Sequence, residues 1–176
     1  MRKPHKAFEI ALSAIACAAA AGFLMLGSVS PFLLATGYLV AAFAVMVPLA
    51  KDFWWGSALC FLAAGLLALP VSLWKVVPYF AFFGLHPVVN RIQMRFVRKK
   101  PLFLLCEVAK AVWFDLAMWL SWIVLTRMAG MVFPEYIETY FFYILFLGGT
   151  LFFFVYDVLM FACQKSVDTV VARIRK

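Results

Sequence analysis

The chain has 176 residues, of which 67% are hydrophobic and 14% are charged, and its mean hydropathy is +1.00. Soluble domains are about half apolar and about a quarter charged, so a water-soluble fold of this length cannot bury this much apolar surface. The net charge of +8 does not indicate nucleic-acid binding, because the basic residues cluster between apolar segments. The composition therefore predicts an all-α integral membrane protein that forms a single helical domain.

Six apolar segments follow one another along the chain, and a membrane-spanning helix needs about 20 such residues. The predicted spans cover residues 7–27, 31–50, 53–74, 76–90, 102–128 and 139–163. The fourth is short and contains Pro78, Gly84 and Pro87. Because proline removes a backbone donor, we expect this helix to be kinked, tilted or partly re-entrant. A cleaved signal peptide is the alternative for the first segment, although its long apolar run favours a retained helix.

The distribution of basic residues predicts the orientation. With six spans, thirteen of the sixteen Lys and Arg residues fall on the side that holds both termini. Only Lys75 and Arg127 fall on the other side, and Lys110 lies within the fifth span. Since cytoplasmic loops carry the excess of Lys and Arg, we expect both termini to be cytoplasmic in a multi-pass protein of the inner (plasma) membrane.

Two basic amphipathic segments, residues 90–100 and 164–176, follow the fourth and sixth predicted spans. Such segments can lie on the membrane surface, with an apolar face in the headgroup region and cations near anionic lipid. They can equally be simple topology anchors.

Polar side chains predicted at similar depth near the cytoplasmic ends of the last three spans could meet in an intramembrane network. They are His86, Asn90, Glu107, Lys110 and Asp157. Ionised groups inside a bilayer face protein or water rather than lipid. One interpretation is a structural network in which Lys110 neutralises Glu107 and Asp157 and joins three helices. The other is a proton relay or a polar ligand site.

A second candidate site lies nearer the membrane midplane. Asp115 has no cation close to it in its own helix, and the outer half of the bundle is rich in aromatic residues. The predicted substrate-binding residues are Asp115, Trp119, Trp122, Tyr79, Tyr140 and Tyr143. The alternative for these aromatic residues is an interfacial belt.

The first span carries small residues at four-residue spacing, namely Ala14, Ala18 and Gly22. Small side chains let helix backbones approach closely, so this face predicts packing within the chain or against a partner subunit. Neither enzyme motifs such as HExxH, GxSxG or a Walker loop nor a CxxC metal motif is present. We therefore expect no enzymatic activity, no cofactor and no metal.

The layout of six spans, cytoplasmic termini and the spacings Ala14-x-x-x-Ala18 and Ala16-x-x-x-Ala20 resembles the substrate-binding S component of energy-coupling factor (ECF) importers. The resemblance implies that these alanines contact a transmembrane coupling subunit, that paired ATPases drive transport, and that a small solute such as a vitamin is bound near the outer face. The layout is also similar to a small cell-shape membrane protein that acts as a scaffold. The expected function is thus the binding subunit of an importer, and the alternative is a non-transporting scaffold that binds partner proteins or anionic lipid.

Overall fold

The computed structural model describes residues 6–97, 99–128, 130 and 132–173, and all regular secondary structure in those ranges is helical. Six main helices lie in this part of the chain. They are α1 (Lys6–Val29), α2 (Pro31–Leu49), α3 (Trp54–Ser72), α4 (His86–Phe96), α5 (Lys100–Arg127) and α6 (Glu135–Arg173). The predicted all-α class is confirmed.

Helices α1 and α2 form a tight antiparallel pair. Ser30 is extended between them, and Pro31 begins α2. The first N–H groups of a helix have no acceptor within the helix, so a proline, which lacks this N–H, costs nothing at this position. A Cβ built on Gly37 would lie 2.7 Å from the carbonyl oxygen of Phe23 and 3.2 Å from the Cα of Gly27. The two backbones are therefore in direct contact, and glycine is required on α2 at this point.

Between α3 and α4 the backbone is irregular. Leu73 has a φ of +46°, which an L-residue rarely adopts, and this residue ends α3. A 3₁₀ turn (Leu73–Val76) and a π turn (Tyr79–Phe83) follow. Pro87 lies in the first turn of α4, where proline is tolerated.

The π turn supplies the centre of the core. Phe82 is completely buried, and its ring centroid lies 4.8 Å from that of Trp113, 5.0 Å from that of Phe114 and 6.0 Å from that of Phe153. The π turn therefore lies inside the bundle, against α5 and α6, where protein rather than lipid surrounds its backbone.

Helix α6 differs from its sequence prediction. The sequence predicts a span at 139–163 followed by a separate surface segment at 164–176, but one continuous run, Glu135–Arg173, covers both. Its interior contains a π turn (Ile144–Gly149). Neither glycine nor proline occurs between residues 150 and 173, and Val171 is still buried, so nothing ends the helix at 163. Residues 174–176 lie outside the described residues.

The predicted basic amphipathic segment 90–100 is divided between two helices. Its first part is the end of α4, which runs to Phe96, and Lys100 begins α5. Arg98 lies outside the described residues.

Charged residues meet at one end of the bundle, which we call the charged end. Lys51, between α2 and α3, donates to the carbonyl of Val171 at 3.0 Å. Arg91 on α4 pairs with Asp168 on α6 at 2.7 Å and with Asp52 at 3.3 Å. The start of α3 and the ends of α2, α4 and α6 therefore lie together.

The opposite end holds the α1–α2 connection and the end of α3. Lys75 donates to the carbonyl of Ser28 at 2.8 Å. Helix α1 begins at the charged end, since the Lys51 ammonium lies 5.8 Å from the ring centre of Phe8. The segment from Lys75 to Arg91 consequently returns from the opposite end to the charged end, as part of an up-and-down bundle.

Four helices in the described part of the chain are long and apolar enough to cross a membrane. They are Ala7–Val29, Trp54–Val76, Lys100–Arg127 and Glu135–Arg173. Leu33–Leu49 is a shorter apolar helix. The predicted fourth span, 76–90, does not reach this length as one regular helix, because the π turn and α4 divide it.

Replacing Gly37 with alanine is expected to destabilise the α1–α2 pair, because the new methyl group meets a backbone carbonyl that cannot rotate away. Overpacking of this kind costs about 1–3 kcal/mol. Denaturant titration in mixed micelles measures the loss. Gly22→Ala is the matched control, since a Cβ there meets nothing within 4 Å. Equal stability of the two variants would contradict this packing.

Candidate functional site

A network of polar side chains links α4, α5 and α6 close to the charged end. The structure brings together all five residues that the sequence grouped here, and it adds Gln93. Asn90, Lys110 and Asp157 are each at least 97% buried, and His86 is completely buried. The network is therefore shielded from lipid, as ionised groups at depth require.

Lys110 is the centre of this network. Its ammonium donates to Asp157 Oδ1 at 2.6 Å and to Asn90 Oδ1 at 2.9 Å, and it lies 3.1 Å from Glu107 Oε2. An ammonium group has three N–H donors, so these three acceptors satisfy it completely. The ring centre of Phe161 lies 4.8 Å from the same nitrogen. One side chain of α5 is thus bonded to α4, to α6 and to its own helix.

Asp157 and His86 form the second link between α4 and α6. Asp157 Oδ1 lies 2.8 Å from His86 Nε2, so this single oxygen accepts from both His86 and Lys110. The His86 ring is held between Phe82 and Tyr156, with centroid distances of 4.9 and 4.8 Å. The aromatic contacts fix the ring orientation, and Asp157 fixes which nitrogen carries the hydrogen.

The contacts of His86 favour the neutral ring. Its Nδ1 has no hydrogen-bond partner within the described ranges. A protonated ring would place an N–H donor there with nothing to accept it, at a cost of about 1–3 kcal/mol or more for a charged group. The neutral ring leaves only an unused lone pair.

Two carboxylates therefore face one ammonium. Glu107 accepts from Gln93 Nε2 at 2.6 Å. With both carboxyl groups ionised and His86 neutral, the network would carry one surplus negative charge. A proton or a cation must balance that charge inside an apolar bundle.

Two open grooves reach the network from the outside of the bundle. The first, the α5–α6 groove, has a volume of about 560 Å³, and its lining includes Glu107, Asp157 and Lys165 together with Phe103, Phe154 and Phe161. The second lies between α4 and α5, has a volume of about 250 Å³, and reaches Gln93 and Lys110. The network is consequently closed to lipid on most sides but accessible along α5.

Asp115, the predicted midplane acid, lies away from this network. Thr150 Oγ1, at the end of the π turn of α6, lies 3.2 Å from Asp115 Oδ2 and 3.4 Å from Oδ1. Within the described ranges Asp115 has no ion-pair partner, and its side chain is partly exposed.

The predicted aromatic residues fall into separate groups. Trp122 stacks on Phe141 at 4.2 Å, whereas Trp119, Tyr140 and Tyr143 are exposed. Tyr79 is completely buried against α3, where its hydroxyl donates to the Phe61 carbonyl at 3.3 Å. The rings near Trp122 therefore cluster with α6, and Tyr79 belongs to the core.

The small residues of α1 face outward. Ala14 and Ala18 are exposed, and a Cβ on Gly22 would meet nothing within 4 Å. The buried face of the same helix contains Ala16 and Ala20, which pack within the bundle. The predicted partner-helix face is thus not used for packing between the described helices.

Gln93 was not among the network residues predicted from the sequence, although its spacing on α4 indicates the same helix face. It follows Asn90 by three residues and His86 by seven, so the three share one face of α4. No group of three His, Cys, Asp or Glu side chains within residues 6–97, 99–128 and 132–173 is placed to bind a metal ion.

Comparison of the chain with protein-family models, with curated proteins and with solved structures found no match.

Replacing Lys110 with methionine is expected to reduce the free energy of unfolding by about 3–5 kcal/mol, because two buried carboxylates lose their only ammonium partner. Denaturant titration in mixed micelles checks this. Lys99→Met is the control, since Lys99 is exposed. A loss below that of the control would contradict the buried-network geometry.

Combining Lys110→Met with Asp157→Asn is expected to cost less than the sum of the two single changes, because the double variant no longer leaves Asp157 charged and unpaired. A double-mutant cycle should give a coupling of about 0.5–3 kcal/mol. Strict additivity would mean that the two side chains do not interact.

Proposed function

We propose that this chain is the solute-binding membrane subunit of a multi-component importer of the ECF type, in which α1 docks against a transmembrane coupling subunit. The observation that carries the proposal is the outward orientation of Ala14, Ala18 and Gly22 on α1. Bulky side chains cover most lipid-facing helix surfaces, whereas a flat strip of small residues suits close approach of another helix.

The proposed orientation places both termini and the charged end in the cytoplasm. Arg91, Lys51 and Asp168 then lie at the inner surface, and the excess of Lys and Arg at this end fits the charge rule for cytoplasmic loops. The basic residues there would face anionic lipid or the ATPases of the complex.

The proposed solute site lies in the outer half, around Asp115. Its carboxylate lies 3.2 Å from the Thr150 hydroxyl and has no cation partner among the described residues, so it remains available to a donor group on a solute. The stack of Trp122 on Phe141 supplies a flat aromatic surface near the outer end of α5. Trp119, Tyr140 and Tyr143 are exposed, whereas Tyr79 is buried in the core and is not part of this site.

A non-transporting scaffold is the second candidate, and the completeness of the Lys110 contacts favours it. Three acceptors from three helices hold this ammonium, as expected for a group that joins helices permanently. In that case α1 and the charged end bind partner proteins or anionic lipid, and no solute is carried.

Replacing Ala18 with leucine is expected to leave the isolated protein folded but to release the coupling subunit, because the larger side chain separates the two helices. Purification from native membranes in mild detergent, followed by mass measurement of the complex, provides the test. Ala35→Leu, at an exposed alanine of α2, is the control. A complex that survives Ala18→Leu unchanged would remove α1 from the interface.

A solute that raises the midpoint of thermal unfolding is expected to lose most of that effect in Asp115→Asn, since the variant removes the charge that the solute contacts. Differential scanning fluorimetry with a small-molecule panel measures this, and Glu138→Gln is the control at an exposed acid of α6. If no compound stabilises the protein while the α1-dependent complex persists, the scaffold is correct and the importer proposal is wrong.

A further inference from the structure

Two aromatic rings contact each other between α5 and α6, close to the charged end. The centroids of the Phe103 and Phe161 rings, which we call the ring pair, lie 6.0 Å apart. Helix α5 begins four residues after α4 ends at the charged end, and α6 ends there. Lys100 precedes Phe103 by three residues and Lys165 follows Phe161 by four, so each lysine lies about one turn closer to the charged end, on the same face of its helix as the ring. The two lysines therefore lie at the same level on neighbouring helices.

Both lysines lack an ion-pair partner within the chain that the structure describes. Lys100 and Lys165 are exposed, and neither forms a salt bridge with another described residue. Asp168, three residues beyond Lys165 on the same helix, pairs with Arg91 at 2.7 Å instead. Two positive charges at this level are therefore available to a counter-ion from outside the described residues.

The carboxyl groups deeper in the α5–α6 groove do not neutralise these lysines. Glu107 and Asp157 lie seven and eight residues from the lysine of their own helix, which is about 10–12 Å along the helix axis. Lys110 contacts both carboxyl groups, at 3.1 and 2.6 Å. The ring pair lies between the two levels, four residues from each acid. The groove is therefore basic near the charged end and separated there from its deeper carboxyl groups by aromatic rings.

Phe103 is shared by two open grooves on the outside of the bundle. One is the α5–α6 groove, of about 560 Å³, whose lining includes Lys165. The other, which we call the Lys100 groove, has a volume of about 380 Å³ and is lined by Val97, Lys100, Phe103 and Leu104. Apolar side chains form most of both linings. Each groove therefore combines one of the two lysines with an apolar surface that an acyl chain can cover.

We propose that this surface binds an anionic diacyl phospholipid. Its phosphate lies between Lys100 and Lys165, and its two acyl chains follow the α5–α6 groove and the Lys100 groove on either side of Phe103. Basic pockets between transmembrane helices bind anionic headgroups, because each ammonium near the membrane surface attracts the phosphate. The site rests on the proposed position of the charged end at the cytoplasmic surface, and on no other part of the proposed function.

Native mass spectrometry of the full chain in a non-ionic detergent tests the proposal. The ligand is dioleoyl phosphatidylglycerol, and dioleoyl phosphatidylcholine is the probe with the same acyl chains and no net charge. We expect one saturable phosphatidylglycerol site, with an affinity about tenfold or more above that for phosphatidylcholine. Glycerophosphoglycerol, the same headgroup without acyl chains, is expected not to compete. Equal affinity for the two lipids, or competition by the soluble headgroup, would overturn the proposal.

A pair of double variants tests the two lysines. Lys100→Gln combined with Lys165→Gln is expected to lower the phosphatidylglycerol affinity about tenfold and to leave phosphatidylcholine binding unchanged. Lys99→Gln combined with Arg127→Gln is the control, because it removes the same net charge from residues outside both grooves. All four residues are exposed, so both double variants are expected to fold. An equal loss of affinity in the two double variants would show a general effect of net charge and refute the site.

A further pair of variants tests the contact with an acyl chain. Val158 lines the α5–α6 groove and its neighbour Leu159 does not, and both are exposed. Val158→Trp is expected to weaken phosphatidylglycerol binding several-fold by filling the groove, whereas Leu159→Trp leaves it unchanged. Equal binding by the two tryptophan variants would exclude an acyl chain from the groove and contradict the proposal.

Ala18→Leu separates this site from the proposed docking of α1. Phosphatidylglycerol binding is expected to be unchanged in that variant, because no residue of α1 lines either groove. Loss of the coupling-subunit complex in Ala18→Leu with intact lipid binding would support both proposals. If Ala18→Leu releases the coupling subunit but the wild type does not distinguish the two lipids, only the lipid site is refuted.

Discussion

The arrangement of α4, α5 and α6 depends on how a single ammonium group is accommodated among apolar helices. Lys110 is 97% buried, and each of the three N–H groups of a buried ammonium needs its own acceptor. Asn90 on α4, Glu107 on α5 and Asp157 on α6 supply them. Satisfying Lys110 therefore determines both the rotation of α4 and the register of α6 against α5.

The irregular segment between α3 and α4 makes this arrangement possible. A regular helix from α3 onward would continue away from the bundle, whereas the break at Leu73 and the π turn around Phe82 return the chain through the core. Phe82 then packs against α5 and α6, and the next turn places His86 beside Asp157. Backbone irregularity at membrane depth is tolerated here because protein surrounds it.

The same network that joins the helices places two carboxyl groups beside one ammonium group. The α5–α6 groove opens onto both of these carboxyl groups. The small-residue face of α1 shares no helix with that groove.

The sequence alone determined the helical class and the apolar helices, because composition and the length of the apolar runs set both of these. It placed Glu107, Lys110 and Asp157 at similar depth, but it did not identify the groove or include Gln93. The sequence prediction ended the sixth span at residue 163, where the composition changes from apolar to mixed. The helix continues past this point because no residue there ends it. Helical periodicity determines which side chains share a face. Only the packing of non-adjacent helices decides which faces meet, which oxygen accepts which hydrogen and where an opening remains, because those contacts depend on residues far apart in the chain.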